Sequence, residues 1–338
     1  MAVMKAMVLH KPKDIEENPL VLEELEIPAV KEDEVLLKVL ACGVCHTDLH
    51  TVEGELRLPK LPIIPGHQIV GIVVDKGPKV RNRNPGERVG VTWLHSSCGK
   101  CEYCRKGLEN LCDDVKFTGL HAHGGYAEYA IAKADYIFPL PESMSDIEVA
   151  PLLCAGIIGY RSLKLSEIQP GGSLGLYGFG ASAHIAIQVA KYWKCRVFVF
   201  TRSDAHKKHA SELGAVWVGN PKDEPPEKLD SAVIFAPAGW IVPYALKALK
   251  KGGTLAINAI HMSPIPELDY REIYFEKTVR SVANLTRSDA EEFLKLASRI
   301  PLKTSTEIFP LHRANEVLQK LKKSQIKGAA VLKISLEK

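Results

Sequence analysis

SLGLYGFGASAHIAIQVAKYW, Ser173–Trp193, decides how the chain is to be read. Ser173–Gly178 is a short apolar strand, and Ser182–Trp193 carries apolar residues at helical spacing. Between them lies GFGASA, with Gly178 and Gly180 in the first two positions of a G-x-G-x-x-G/A pattern and Ala183 in the third. A glycine turn between a strand and a helix lets backbone approach a pyrophosphate at the helix N-terminus. A bare G-x-G is equally the mark of a structural turn, so its meaning depends on what surrounds it.

Outward from this unit the same rhythm continues. Arg196–Thr201 (RVFVFT) is a strand, followed by a helical DAHKKHASELG that stops at Gly214. Strand-like runs follow at Ser231–Ala236, Gly253–Ala259 and Thr278–Val282. Strand–helix alternation with continuous apolar strands predicts a parallel sheet covered on both faces. The first 150 residues read differently. Val35–Leu40, Ile69–Val74 and Tyr126–Ala132 are β-branched or aromatic runs bounded by Gly, Pro and Asp turns. Helical stretches at Ser288–Ser298 and Arg313–Lys322, with a last strand Ala329–Ile334, close the chain. Its 338 residues exceed one ordinary core and predict two domains.

The strand Arg196–Thr201 should end in Asp or Glu if a ribose 2′-hydroxyl is to be gripped, as in NAD enzymes. It runs instead into Thr201, Arg202 and Ser203, a hydroxyl–guanidinium–hydroxyl set suited to a 2′-phosphate, so NADP is favoured over NAD. Asp204 argues the other way, either as an acidic grip displaced by one residue or as a helix cap.

Composition and charge set outer limits. A formal charge of +4, with basic residues scattered among acidic ones, speaks against nucleic acid as a partner. No apolar run reaches membrane-spanning length, and MAVMKAMVLHKPKD has no signal-peptide core, so a cytoplasmic location is expected. Eight cysteines in such a chain read as metal or catalytic thiols rather than disulfides.

Four of them, Cys98, Cys101, Cys104 and Cys112, form C-x2-C-x2-C-x7-C. Thiolates two residues apart on a tight turn can face one ion, and four close a tetrahedron with no open position, the mark of a structural zinc. The iron–sulfur run C-x2-C-x2-C-x3-C-P is absent. LPIIPGHQIVG, Leu61–Gly71, holds a single histidine, His67, at a strand entrance, where a structural role is the ordinary reading.

ACGVCHTDLH, PGHQIVG, PGERVG (Pro85–Gly90), the four-cysteine lobe, GGYAEY (Gly124–Tyr129), LLCAG (Leu152–Gly156) and the strand–glycine–helix unit occur in one order along the chain. Together they resemble the zinc-dependent medium-chain alcohol dehydrogenases, most closely the propanol-preferring and cinnamyl-alcohol-dehydrogenase-like branches. The resemblance implies a β-rich GroES-like catalytic domain (1–154, with a zinc lobe at about 95–113), a Rossmann domain with a doubly wound parallel sheet (155–287), and a tail (288–338) returning to the catalytic domain, an α/β protein overall. It implies a catalytic zinc on Cys45, His67 and Cys154, its fourth position open to stabilise an alkoxide, besides the structural zinc, two per chain. Thr47 would begin a proton relay ending at His50, and Asp48 would orient the ligand histidine. His46 corresponds to a basic position near the pyrophosphate. Trp93 would narrow the alcohol pocket, with Leu120 and Ile260 as further lining candidates. Cys42 and Cys195 receive no role beyond small buried hydrophobes. The active site would lie in a cleft with Cys154 at its hinge, in a homodimer or homotetramer.

The expected activity is hydride transfer between a primary or aromatic alcohol or aldehyde and NAD(P). A polyol or secondary-alcohol dehydrogenase and a non-catalytic zinc protein are the alternatives. Gln68 departs from the family, which usually has Glu after the ligand histidine. The amide keeps a carbonyl oxygen but removes a charge, which should leave the metal more electrophilic.

Overall fold

The computed structural model describes residues 2–334. The chain forms two compact units, one of Ala155–Asn284 with Ile300–Leu302 and the other of the remaining described residues. The first holds a six-stranded sheet in the order Trp217–Gly219, Arg196–Phe200, Ser173–Tyr177, Leu229–Ile234, Leu249–Ile257, Thr278–Ser281. Every neighbouring pair is parallel. Numbered within the unit this is the order 3-2-1-4-5-6 of a doubly wound dinucleotide fold, and its direction reverses beside Ser173–Tyr177. That central strand is buried at all five positions because both faces are covered, so no polar alternation is needed. Tyr177 stacks on Phe200 across the central strands at 4.0 Å between centroids, a contact worth about 1 kcal/mol beyond burial. Thr278–Ser281 differs from the expected buried run: all four residues are exposed, because this strand ends the sheet order.

The second unit is built on a sheet in the order Thr306–Pro310, Ala329–Lys333, Glu34–Val44, Gln68–Lys76, Arg88–Val91, Ile137–Pro139, with Tyr129–Lys133 also paired to Glu34–Val44. The eleven-residue strand Glu34–Val44 shifts register between Leu36 and Leu37 and again between Val39 and Ala41. Such bulges increase twist and re-aim a strand end. Its last residues pair with Gln68–Val70 on one side and with Ala330–Lys333 on the other. The Gly43↔Gln68 pair sets His67, one residue outside the strand, close to Cys45, two residues past its partner. The strand expected from Tyr126 begins at Tyr129, since the Tyr126 carbonyl instead accepts from the Met7 amide at 2.8 Å. Among the described residues no helix is long and apolar enough to cross a membrane.

Candidate metal centres and active site

Cys45 caps the helix His46–Glu53. Its sulfur accepts from the Thr47 amide at 3.4 Å, and its own amide donates to Asp48 Oδ2 at 3.0 Å. The open end of a helix favours negative charge, so the thiolate form is supported where the chain turns. Asp48 is the hub of the site. Its Oδ1 accepts from the Gly66 amide at 3.2 Å and stands 2.9 Å from His67 Nδ1. One buried carboxylate thus fixes the Cys45 turn and the His67 ring together, and it turns Nε2 toward Cys45 Sγ, 3.4 Å away.

The loop carrying His67 has no freedom of its own. Gly66 has φ +94°, and a Cβ there would lie 2.4 Å from the Tyr126 ring. Gly124 crosses the same turn so closely that its Cβ would fall 2.0 Å from the Gly66 carbonyl oxygen. Only glycine fits either place. The PGHQ and GGYAEY stretches are therefore two halves of one packed crossing.

Cys154 ends the 3-10 turn Ala150–Leu153 and brings a second sulfur. The Cys45, His67 and Cys154 donor atoms lie within 4.8 Å of one another, as do the sulfurs of Cys98, Cys101, Cys104 and Cys112. Zinc bonds of about 2.3 Å to sulfur and 2.05 Å to nitrogen place tetrahedral donors roughly 3.6 Å (S–N) and 3.8 Å (S–S) apart. The observed 3.4 Å from Cys45 to His67 and 3.9 Å from Cys98 to Cys104 match those edges. Both donor sets fit zinc.

The buried groups also shift one another's proton affinity. A hydrogen bond from Cys154 does most to hold the Cys45 thiol far below its usual pKa, against burial and with help from His67 and Thr47. The same bond, joined by burial, drives Cys154 far up. Burial opposes charge on His67, but Asp48 and Cys45 outweigh it and raise its pKa. In the exposed cluster, amides of Lys100 and Cys101 bring Cys98 down to about 6.

Thr47 is buried and His50 half-buried, three residues apart on one face of their helix. His50 Nδ1 lies 2.6 Å from Glu55 Oε2, a residue just past the end of the helix and absent from the expected relay. His46 is half-buried at the first helical position, and burial lowers its pKa, which weakens it as a cation. Trp93 stacks on Phe117 at 4.2 Å and 17°, with its ring 6.2 Å from that of His67. Phe117 was missed as well; the indole needs a flat neighbour, and chain order does not reveal which one. Leu120 is buried, whereas Ile260 is exposed in the other unit. Cys42 and Cys195 are both buried.

Gln68 is 2% exposed and lies against Gly43, where a Cβ would come 2.8 Å from its Oε1. Among the described residues its Nε2 has no hydrogen-bond partner. An unpaired buried amide nitrogen is costly, so this position holds an uncharged group at an energetic disadvantage.

In the other unit, Gly178 has φ +90° at the end of Ser173–Tyr177, Gly180 caps the helix Ala181–Tyr192, and Ala183 is buried in its first turn. Thr201 is buried, Arg202 is exposed, and Ser203 caps the helix Asp204–Glu212 by accepting from the His206 amide at 3.3 Å. The cap is Ser203 and not Asp204, whose side chain is almost wholly exposed and pairs with Lys207 at 3.4 Å.

Comparison with known proteins agrees with this architecture. Residues 31–142 match the alcohol dehydrogenase GroES-like domain, and residues 183–299 match the zinc-binding dehydrogenase family. The chain is 45% identical over 339 residues to a Mycobacterium tuberculosis protein described as "Probable alcohol dehydrogenase AdhA", covering 98% of each. A solved cinnamyl alcohol dehydrogenase of Sorghum bicolor superposes with a TM-score of 0.88 at 26% identity, covering 100% of both chains. The Helicobacter pylori CAD complexed with NADP(H) superposes with a TM-score of 0.87 at 26% identity, covering 98% of each. The chain belongs to the zinc-dependent medium-chain alcohol dehydrogenase family.

Proposed function

We propose that this alcohol dehydrogenase oxidises primary or aromatic alcohols, or reduces the matching aldehydes, with NADP(H) as the preferred cofactor. The observation that carries the reading is the convergence of Cys45, His67 and Cys154 around the Asp48 hub. These three residues would hold a catalytic zinc, which when bound supplies Lewis acidity toward a substrate oxygen. The four-cysteine set would hold a second, structural zinc. Asp48 keeps His67 Nδ1 occupied, so that Nε2 is the ligating atom. Thr47 Oγ1 takes the alcohol proton and passes its own toward His50, which lies beside Glu55. A bound NAD(P) would supply the hydride acceptor, so that one alcohol and one oxidised cofactor would give one aldehyde, one reduced cofactor and one proton.

Trp93, held flat by Phe117, supports a narrow slot for planar or unbranched substrates. Gly178, Gly180 and Ala183 would receive the pyrophosphate, with His46 as a weaker contributor. The NADP preference is supported by Thr201, Arg202 and Ser203, and by Asp204 being turned outward onto Lys207. The Ser203 hydroxyl accepts from the helix yet keeps its proton to donate. Assembly into a homo-oligomer is supported by the exposed edge strand Thr278–Ser281 and by exposed Tyr270, Tyr274 and Phe275 nearby in sequence. One panel of primary, aromatic and secondary alcohols and aldehydes, run with both cofactors, tests the reading. A higher kcat/KM with NADP and with unbranched or aromatic substrates is expected; a clear NAD or secondary-alcohol preference would overturn the corresponding part.

A further inference from the structure

One sulfur of the lobe at Cys98–Cys112 reaches the residues that lead into it. Cys104 Sγ lies 3.3 Å from Ser97 Oγ, which lies 2.8 Å from Tyr136 Oη. The Ser97 amide also donates to Tyr136 Oη, at 3.0 Å. Direction along this chain is fixed once Cys104 is a thiolate. A thiolate only accepts, so the Ser97 hydroxyl must give its proton to sulfur. Ser97 Oγ then accepts from Tyr136, and Tyr136 Oη accepts from the Ser97 amide. Above the Tyr136 ring sits the Arg287 guanidinium, 5.2 Å from its centroid. A cation over a phenol ring is attracted to its face and holds the ring in place. Arg287 Nε reaches further, to Glu109 Oε1 at 2.9 Å, and Glu109 is a buried residue of the lobe itself. The loop of contacts therefore begins and ends in the lobe and passes through the first residue of the helix Arg287–Ala297.

We infer that Ser97, Tyr136 and Arg287 form a hydrogen-bonded clasp on Cys104 that makes metal retention in the four-cysteine site and seating of the Arg287–Ala297 helix one cooperative property. They are positioning residues, remote from the reacting atoms. The inference rests on the proposed reading that the four cysteines hold zinc. Groups that hydrogen-bond to metal ligands commonly change metal affinity 10- to 100-fold when removed. Coupling is reciprocal, so emptying the site must also loosen the start of the helix.

The test follows zinc release from the holoenzyme to a chromogenic chelator, where the two sites give separate phases. Ser97→Ala and Tyr136→Phe, the latter keeping the ring under Arg287, are expected to speed the lobe phase about 10- to 100-fold and leave the other phase unchanged. Ser97→Thr should restore the slow phase. Arg287→Lys, which keeps the charge but loses the planar stack, should fall between. In cobalt-loaded protein, Ser97→Ala should shift the thiolate-to-metal charge-transfer band, which a purely structural role would not move. Hydrogen exchange at residues 287–291 should rise in Cys104→Ser. Unchanged lobe release in Ser97→Ala and Tyr136→Phe, or equal acceleration of both phases, would overturn the clasp while leaving the metal assignment standing. A wild-type zinc content that Cys104→Ser does not lower would overturn the metal assignment, and the clasp with it.

Discussion

The two cysteine-bearing clusters of this protein are built by opposite means. Cys98, Cys101, Cys104 and Cys112 lie within residues 98–112, and three of the four are partly exposed. Backbone amides of the lobe do much of the positioning: Cys101 N donates to Cys98 Sγ and Cys104 N to Cys101 Sγ, at 3.3 and 3.4 Å. Cys45, His67 and Cys154 come from three distant places and meet through strand register, a glycine crossing and one carboxylate. The local cluster offers four sulfurs and would saturate an ion. The assembled one offers three donors and would leave a coordination position open, where chemistry could occur. A site that must bind something else is thus the one whose geometry depends on the whole unit.

The comparison breaks first at the ligands. His67→Ala or Cys154→Ser should abolish metal at the buried set and lower kcat/KM by about a thousandfold or more, while metal analysis still finds the lobe zinc. Loss of both metals together would mean the clusters are not independent. Asp48→Asn keeps the shape but removes the charge that holds His67 and the Cys45 turn. It should weaken metal binding at that site about 10- to 100-fold in chelator competition and leave the lobe untouched.

At the lobe the corresponding lever is His95, on the strand Leu94–Ser96 that enters it. Burial, reinforced by Lys133 and His121 and opposed by Glu34 and Asp33, lowers its pKa to about 4. The unfolded chain takes up a proton near pH 6.5 that the folded one refuses. Stability from this group is therefore complete above pH 6.5 and is lost as pH falls toward 4. The loss at pH 5 is about 2 kcal/mol relative to pH 8. Melting curves of His95→Asn should show less acid sensitivity across that window; an identical pH profile would remove His95 from the account.

The smallest expected effect concerns Gln68. A carboxylate there restores an anion near two thiolates, so Gln68→Glu should raise the apparent pKa governing alcohol oxidation by roughly one unit. An unchanged pH–rate profile would show that the missing charge does not reach the reaction.

Much of this molecule was legible before its structure. The parallel sheet followed from apolar runs at strand length, and its central strand needs no polar face because helices cover both sides. The lobe was legible because its ligands share one turn-rich segment. The buried set was not, since no spacing links residues 45, 67 and 154; only likeness to a family brought them together. Phe117, Glu55, Tyr136 and Arg287 were invisible for the same reason. Each acquires its role from a neighbour far off or unremarked in sequence, and each is of an ordinary residue type. The exposed strand Thr278–Ser281 was misread as buried because TVRS alternates too briefly to reveal an edge.

The pairing of Ala330–Lys333 with the end of Glu34–Val44 carries a consequence for biosynthesis. As the chain leaves the ribosome, the lobe has all four donors once residue 112 exists. The other cluster waits for Cys154, and the strand that leads to Cys45 keeps a bare edge until Ala330–Lys333 have been made. The three-residue set therefore gains its supporting strand only after Ala330–Lys333, whereas the four cysteines of the lobe stand together in the chain far earlier.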